Sequence, residues 1–158
     1  MKYAISSDHA GYPLKQTLGE ELLRLGHHVV DLGTDDPSIP SDYPDAARAA
    51  GEAIMRQQVQ RAVLICGSGV GASVAANKMP GIRAAICHDT FSAHQGVEDD
   101  DMNVLCLGAR IIGPELALEV LRAFERARFS EAERHVRRLN KVQSIERQFS
   151  GMTEAHLG

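Results

Sequence analysis

The stretch with most chemistry in it is a cysteine followed at once by a glycine-rich turn, Cys66-Gly67-Ser68-Gly69-Val70-Gly71-Ala72. It comes directly after the apolar run Ala62-Val63-Leu64-Ile65 and opens a short helical stretch, 71–78. Glycines let the backbone approach a ligand closely and adopt positive φ. The first turn of a helix leaves amides free and electropositive, so the place suits an anion. The plain alternative is a tight strand-to-helix turn with no ligand, but three alternate glycines exceed what such a turn requires. Cys66 adds a nucleophile or base beside that cradle. Its plain alternative is a small buried strand residue, the role read for Cys87 and Cys106. A helix N-terminus contributes only about 0.3–1 kcal/mol to a neighbouring anion. The dipole alone therefore does not make a stable thiolate, and the Ser68 hydroxyl and a bound substrate have to help.

Two other ligands can be weighed against the same string. Gly67, Gly69 and Ala72 fit G-x-G-x-x-A, a dinucleotide fingerprint, and Asp89 lies at a spacing that suits a ribose contact. Against it, the turn follows the third strand instead of opening the fold, and the chain is short for a cofactor domain plus a substrate domain. A Walker phosphate loop is excluded, because no Gly-Lys-Ser/Thr follows. Outside the turn, Arg134 and Arg138 stand four residues apart and share one helix face. Two guanidiniums so placed suit a phosphate, although a charged run that includes Arg137 also reads as a solvated face. Arg110, just past the fifth strand, is a further candidate. His27, His28, His94 and His135 are read as ordinary histidines without a functional role.

The elements that must position these groups follow from apolar periodicity. Tyr3–Ser6 reads as a strand. Leu14, Leu18, Leu22 and Leu25 recur on one helix face, with Pro13 in the first turn and Gly26 at the C-cap. His28–Leu32 is a second strand, 33–43 a loop, and 44–58 an alanine-rich helix able to approach a sheet closely. Ala62–Ile65, four apolar residues without alternation, suits a parallel strand covered on both faces. Strands follow at 82–87 and 104–107, with a helix from Thr90 to about Gly96 between them. A helix over 114–127 turns Leu116, Val120, Leu121 and Phe124 inward. A last helix over 131–149 carries Ala132, Val136, Leu139, Val142, Ile145 and Phe149 on one stripe. Residues 151–158 read as a loose tail. Five βα units imply a parallel sheet with helices on both faces and right-handed crossovers. Ligands then bind beyond the carboxyl ends of the strands, where Ser7–Gly11, Cys66–Gly71, His88-Asp89 and Gly108–Arg110 fall.

The bulk composition sets bounds on this reading. The 158 residues suit one domain with its own core. With 44% hydrophobic and 24% charged residues the chain reads as soluble and globular. A net charge of −4 argues against a nucleic-acid partner, while leaving room for an anionic small molecule in a locally basic pocket. No apolar run reaches membrane-span length, and the N-terminus lacks a signal-peptide core. Three widely spaced cysteines point to a reducing, cytoplasmic setting and not to a disulfide framework.

Ser7-Asp8-His9-Ala10-Gly11, Asp42-Tyr43-Pro44, Cys66 to Gly71, Ala75-Ala76-Asn77-Lys78, Gly81-Ile82-Arg83-Ala84 and Asn103-Val104 with Gly108-Ala109-Arg110, taken in this order, resemble ribose-5-phosphate isomerase type B and the sugar-phosphate isomerases that share its fold. The resemblance spans about residues 2–149. It implies a three-layer, Rossmann-like α/β sandwich with a five-stranded parallel sheet, whose C-terminal helix packs on a partner subunit. It implies an aldose–ketose interconversion of ribose 5-phosphate and ribulose 5-phosphate through an enediolate, with no metal and no cofactor. Cys66 would move the proton between C1 and C2, Ser68 would assist, and the backbone of Gly67, Gly69, Val70 and Gly71 would hold the enediolate oxygens. Amides aimed at developing negative charge are often the largest catalytic contribution. Asp8 would contact sugar hydroxyls, His9 the phosphate, and Tyr43 would line the pocket, with Arg110 and Asp100 among the substrate contacts. The resemblance also implies at least a homodimer, or a tetramer, in which Arg134 and Arg138 reach the neighbour's substrate phosphate.

One position departs from the pattern. Where the family has a ring-opening histidine, the stretch Val97-Glu98-Asp99-Asp100-Asp101-Met102-Asn103 places Asp99. A general acid or base supplies about 10²–10⁴-fold in rate, so the exchange matters. Asp99 could open the ring itself, as one of a crowded set of carboxylates. The enzyme could depend on open-chain substrate, such as a four-carbon sugar 4-phosphate that cannot close the usual ring; a hexose 6-phosphate is another candidate in the same class. The chain could be an altered variant, or the stretch a plain acidic helix end. From other classes, a dinucleotide-binding module and a protein that binds sugar phosphate without turning it over remain open.

Overall fold

The computed structural model describes residues 1–151. Its centre is made by the strand expected to be covered on both faces: all six residues of β3 (Arg61–Cys66) are buried. Around it lie β1 (Lys2–Ser7), β2 (His28–Gly33), β4 (Ala84–Ile86) and β5 (Val104–Gly108), in the order β2-β1-β3-β5-β4. Every pairing is parallel. The helices are α1 (Tyr12–Arg24), α2 (Tyr43–Met55), α3 (Val70–Ala76), α4 (Thr90–Asp100), α5 (Pro114–Arg126) and α6 (Glu133–Phe149), with one 3-10 turn at His9–Gly11. This is the three-layer α/β sandwich expected from the alternation of apolar runs.

The two faces are built from different residues. Leu14, Leu18 and Leu22 of α1, Ala93 and Val97 of α4, and Val120, Leu121 and Phe124 of α5 pack with Tyr3, Ile5, Val63 and Ile65 on one side. On the other, Ala46, Ala47, Ala50 and Ala53 of α2 and Ala72 and Ala76 of α3 lie against Ala4, Leu64 and Cys66. Small side chains there let the helices approach the sheet closely. Truncating a buried leucine such as Leu121 to alanine costs about 2–5 kcal/mol in general.

Several boundaries shift, each for a local reason. Leu116 is exposed and Ala117 buried, against the expectation that Leu116 faces inward. The buried face is 117, 120, 121 and 124, and Leu116 sits about 100° around the helix from Ala117. The fourth strand is shorter than 82–87, because the Arg83 amide donates to Asn103 Oδ1 (2.8 Å) and the Ala84 amide to Asn77 Oδ1 (2.9 Å). Helix α2 stops at Met55, where the chain turns through a positive φ at Gln57. Helix α4 runs on past Gly96 to Asp100 and ends on Asp101 in the left-handed region. Ala132 caps α6 and does not belong to its stripe. Of the expected tail, 152–158 lie outside the described residues. No helix among the described residues is long and apolar enough to cross a membrane.

Candidate active site

The sheet order reverses direction at β1 and β3: the chain leaves β1 toward β2 and returns to the other side for β3. The crevice at such a switch point, beyond the carboxyl ends, is where open α/β sheets bind ligands. Asp8 follows β1 and Cys66 ends β3, and the Asp8 amide donates to the Ile65 carbonyl (3.3 Å), so the two lie side by side. The register pairs Cys66 with Gly108, which brings in the segment leading to Arg110.

At the turn, the Gly69 amide donates to Cys66 Sγ (3.1 Å) and the Val70 amide to Ser68 Oγ (3.2 Å). The thiol is buried, and its sulfur is thus oriented by the amide that begins α3. Gly69 has φ of +82°, a conformation that a β-carbon strongly disfavours. A β-carbon at Gly71 would fall 2.6 Å from the Tyr43 ring, which therefore lies flush on the turn. A β-carbon at Gly67 would sit 3.4 Å from Arg110 Nη1, so that guanidinium covers the other side. Arg110 makes no ion pair among the described residues.

The far wall is held by His9 and the loop after β2. His9 donates its amide to Ser41 Oγ (2.9 Å), and its Nδ1 lies 3.1 Å from both the Ser41 amide and carbonyl. Its Nε2 has no protein partner among the described residues. The buried Lys15 ammonium fixes the start of that loop by donating to Asp31 Oδ1 (2.6 Å) and to the Thr34 carbonyl (2.6 Å). Asp8 is buried and uses Oδ1 to accept the Gly11 amide (3.0 Å), capping the 3-10 turn. Asp8, His9, Tyr43, Cys66, Gly67, Ser68, Gly69, Val70, Gly71 and Arg110 are thus gathered at one end of the sheet.

Asp99, Asp100, Arg134 and Arg138 are not. Helix α4 runs back toward the starts of the strands, so Asp99 and Asp100 lie just before β5. Arg61, at the start of β3, donates to the carbonyls of Phe124 (2.8 Å) and Ala127 (2.9 Å), which ties the end of α5 to that same edge. The Ser130 amide donates to the Glu98 carbonyl (3.0 Å), so α6 also begins there. Strand β3 has six residues, which at about 3.3 Å each puts roughly 17 Å between its ends. That exceeds the length of an extended five-carbon sugar phosphate. Within one chain, Asp99 and the two arginines do not reach the Cys66 turn.

This second edge has its own structure. His135, buried, has Nε2 3.3 Å from Asp99 Oδ1 and Nδ1 2.6 Å from Ser130 Oγ. The imidazole thus bonds the Ser130 hydroxyl and lies close to the Asp99 carboxylate. Arg134 and Arg138 are exposed, with no ion pair among the described residues. Val136, Val142, Ile145 and Phe149 on α6 are exposed too. Beside them a groove of about 590 Å³ holds Asp100 at its rim, between Ile82, Met102, Leu139 and Val142.

Residues 3–142 match the sequence pattern of the ribose/galactose isomerase family. The chain belongs to that family. It is 39% identical over 145 residues to ribose-5-phosphate isomerase B of Escherichia coli, covering 92% of this chain and 96% of that one. It is 42% identical over 129 residues to D-erythrulose-4-phosphate isomerase of Pectobacterium atrosepticum, covering 82% and 85%. The solved structure of Clostridium thermocellum ribose-5-phosphate isomerase B superposes with a TM-score of 0.91 at 41% identity, covering 95% of this chain and all of that one. As a member of the ribose/galactose isomerases, this chain is a sugar-phosphate isomerase. The dinucleotide reading gives way accordingly. Asp89, its ribose candidate, is the N-cap of α4 and accepts the Ser92 amide at 2.7 Å.

Sequence reasoning passed over three residues that the fold brings into play. Ser41 orients His9, His135 engages Asp99, and His88 bonds the backbone beside Arg110. Only His88, at a strand end, carried a positional signal.

Proposed function

We propose that this isomerase interconverts ribose 5-phosphate and ribulose 5-phosphate through an enediolate formed at the Cys66 turn. The observation that carries the reading is the Cys66 sulfur held by the Gly69 amide at a turn that the Tyr43 ring meets at Gly71 and the Arg110 guanidinium at Gly67. The thiol, as thiolate, takes the proton from C2 of the open-chain aldose and returns it to C1. The second proton passes between the two sugar oxygens with help from Ser68. Amides from Gly67 to Gly71 receive the enediolate charge, which builds up only during the reaction. Asp8 Oδ2 accepts from sugar hydroxyls, and His9 Nε2 and Arg110 face the phosphate.

The remaining groups enter through a second copy of the chain. Arg134 and Arg138 of a partner chain supply phosphate contacts, and Asp99 and Asp100 travel with them on the same edge. Two observations support a symmetric dimer: the arginines make no ion pair among the described residues, and the apolar stripe of α6 is exposed in one chain.

A four-carbon aldose 4-phosphate is the second reading, and the Asp99–His135 contact favours it. Asp99 stands where ring opening needs an acid, yet its carboxylate lies against a buried imidazole, 3.3 Å from Nε2. A four-carbon 4-phosphate has no free hydroxyl with which to close a furanose, and needs no ring opener. The deciding test is turnover of ribose 5-phosphate, erythrose 4-phosphate and hexose 6-phosphates by the purified protein. Ketose formation that is fastest from ribose 5-phosphate supports the first reading, and a clear preference for the four-carbon sugar replaces it with the second. Binding without turnover of any sugar phosphate overturns both.

A further inference from the structure

His88 lies where the sheet runs out. The ladder between β4 and β5 ends with Ile86 opposite Cys106 and the Cys87 amide donating to the Cys106 carbonyl (3.3 Å). The next amide of β5 on that side, Gly108, would take a carbonyl of β4, but β4 has ended. It donates instead to His88 Nε2 at 2.9 Å. A backbone N–H can only donate, so Nε2 carries no proton and the neutral ring is protonated on Nδ1. Burial holds the half-buried imidazole below its usual range, with the neighbouring Asp89 carboxylate pulling the other way, which keeps the accepting form available.

What this bond secures is the site's other wall. A β-carbon on Gly108 would strike the Ser68 backbone at 2.6 Å, so Gly108 is pressed directly against the turn. From there the Ala109 amide donates to the Cys66 carbonyl and the Arg110 amide to the Gly67 carbonyl, both at 2.9 Å. These bonds set Arg110 over Gly67.

We infer that His88 is a positioning residue of the isomerase: its imidazole stands in for the missing strand, fixes Gly108, and thereby holds Arg110 and the Cys66 turn in register for the substrate phosphate. The inference rests on the proposed reading of the Cys66 turn for its kinetic consequence, but not for its hydrogen bond.

The experiment compares wild type with His88→Gln, which keeps an acceptor at similar reach, and His88→Leu, which keeps bulk without one. Nitrogen-15 spectra of the free protein should show His88 with Nδ1 protonated and Nε2 bare; a proton on Nε2 overturns the assignment. In His88→Leu, KM for the best sugar phosphate and the Kd for inorganic phosphate should each rise about tenfold, while kcat changes less than about threefold. His88→Gln should bring both constants back to within about twofold of wild type. A purely structural role would lower the melting temperature and the active fraction of His88→Leu with KM and phosphate affinity unchanged, and that result overturns the inference. If the wild type turns over no sugar phosphate, the isomerase reading fails by itself, and the spectra and the phosphate titration still decide the role of His88.

Discussion

The two ends of the sheet are built on opposite principles. At the carboxyl end, backbone does most of the work: amides of Gly69 and Val70 hold the sulfur and hydroxyl, and the glycines let Tyr43 and Arg110 close on the turn. At the amino end, side chains hold the candidate groups, with Asp99 beside His135, Arg134 and Arg138 projecting outward, and an apolar stripe left bare. The first end gathers the Cys66 turn and its surrounding groups within one chain. The second presents exposed arginines with no ion pair among the described residues, and acidic groups, about a strand's length from the thiol. A rigid parallel sheet cannot bend its two edges together, so under the proposed function it is a symmetric dimer that joins them.

The largest expected effect tests the first end alone. Cys66→Ala should lower kcat by about 10²–10⁴-fold or more with the fold intact, read by ketose formation and by thermal unfolding. Turnover within a few-fold of wild type would remove the thiol from the mechanism. Arg134→Ala combined with Arg138→Ala should cost about 10²-fold in kcat/KM by removing charge-assisted phosphate bonds. Mixing that double variant with Cys66→Ala then sharpens the comparison. If the two ends meet across a dimer, unfolding and refolding the mixture should restore about a quarter of wild-type activity, because half the dimers are mixed and each holds one intact site. No recovery would mean that the two ends do not share a site.

Smaller changes probe each end separately. Gly71→Ala places a β-carbon on the Tyr43 ring, 2.6 Å away, and should reduce kcat/KM about tenfold; pairing it with Tyr43→Ala should relieve the clash, though not the loss of the ring. Asp99→His should raise activity on ribose 5-phosphate a few-fold while leaving erythrose 4-phosphate unchanged, if ring opening limits the rate. An equal change on both sugars would count against ring opening.

Among the described residues the Glu21 carboxylate bonds only Arg24 and Arg122; it touches none of the candidate site residues and serves as a control. Hydrogen bonds from Arg24 and Arg122 hold its carboxyl down at about 2, against an ordinary 4.5. Because the folded value is the lower one, its contribution to stability is fully present above pH 4.5 and is lost as pH falls toward 2. Glu21→Gln should therefore melt lower than wild type at neutral pH, with the gap closing in acid, and kcat should be untouched throughout. A gap that persists at pH 2 would show that the effect is packing and not charge.

Much of this was legible in the residues themselves. The order of elements, the doubly covered β3, the close-packing alanines of α2 and the glycine turn all follow from period, size and backbone freedom, which are local properties. Leu116 falls outside the buried face, although Ala117 lies within it, because periodicity fixes a face only to within a residue or so and the sheet chooses which. The Asp99–His135 contact joins residues 36 positions apart, and the His88 bond exists only because β4 stops short beside β5. Neither distance along the chain nor residue type encodes such meetings. The sequence by itself determined the fold class and the family, and singled out the Cys66 turn as the candidate site. Only the tertiary structure decided that the candidate residues divide between opposite ends of the sheet, because parallel strands of fixed rise send every returning helix to the edge away from the thiol.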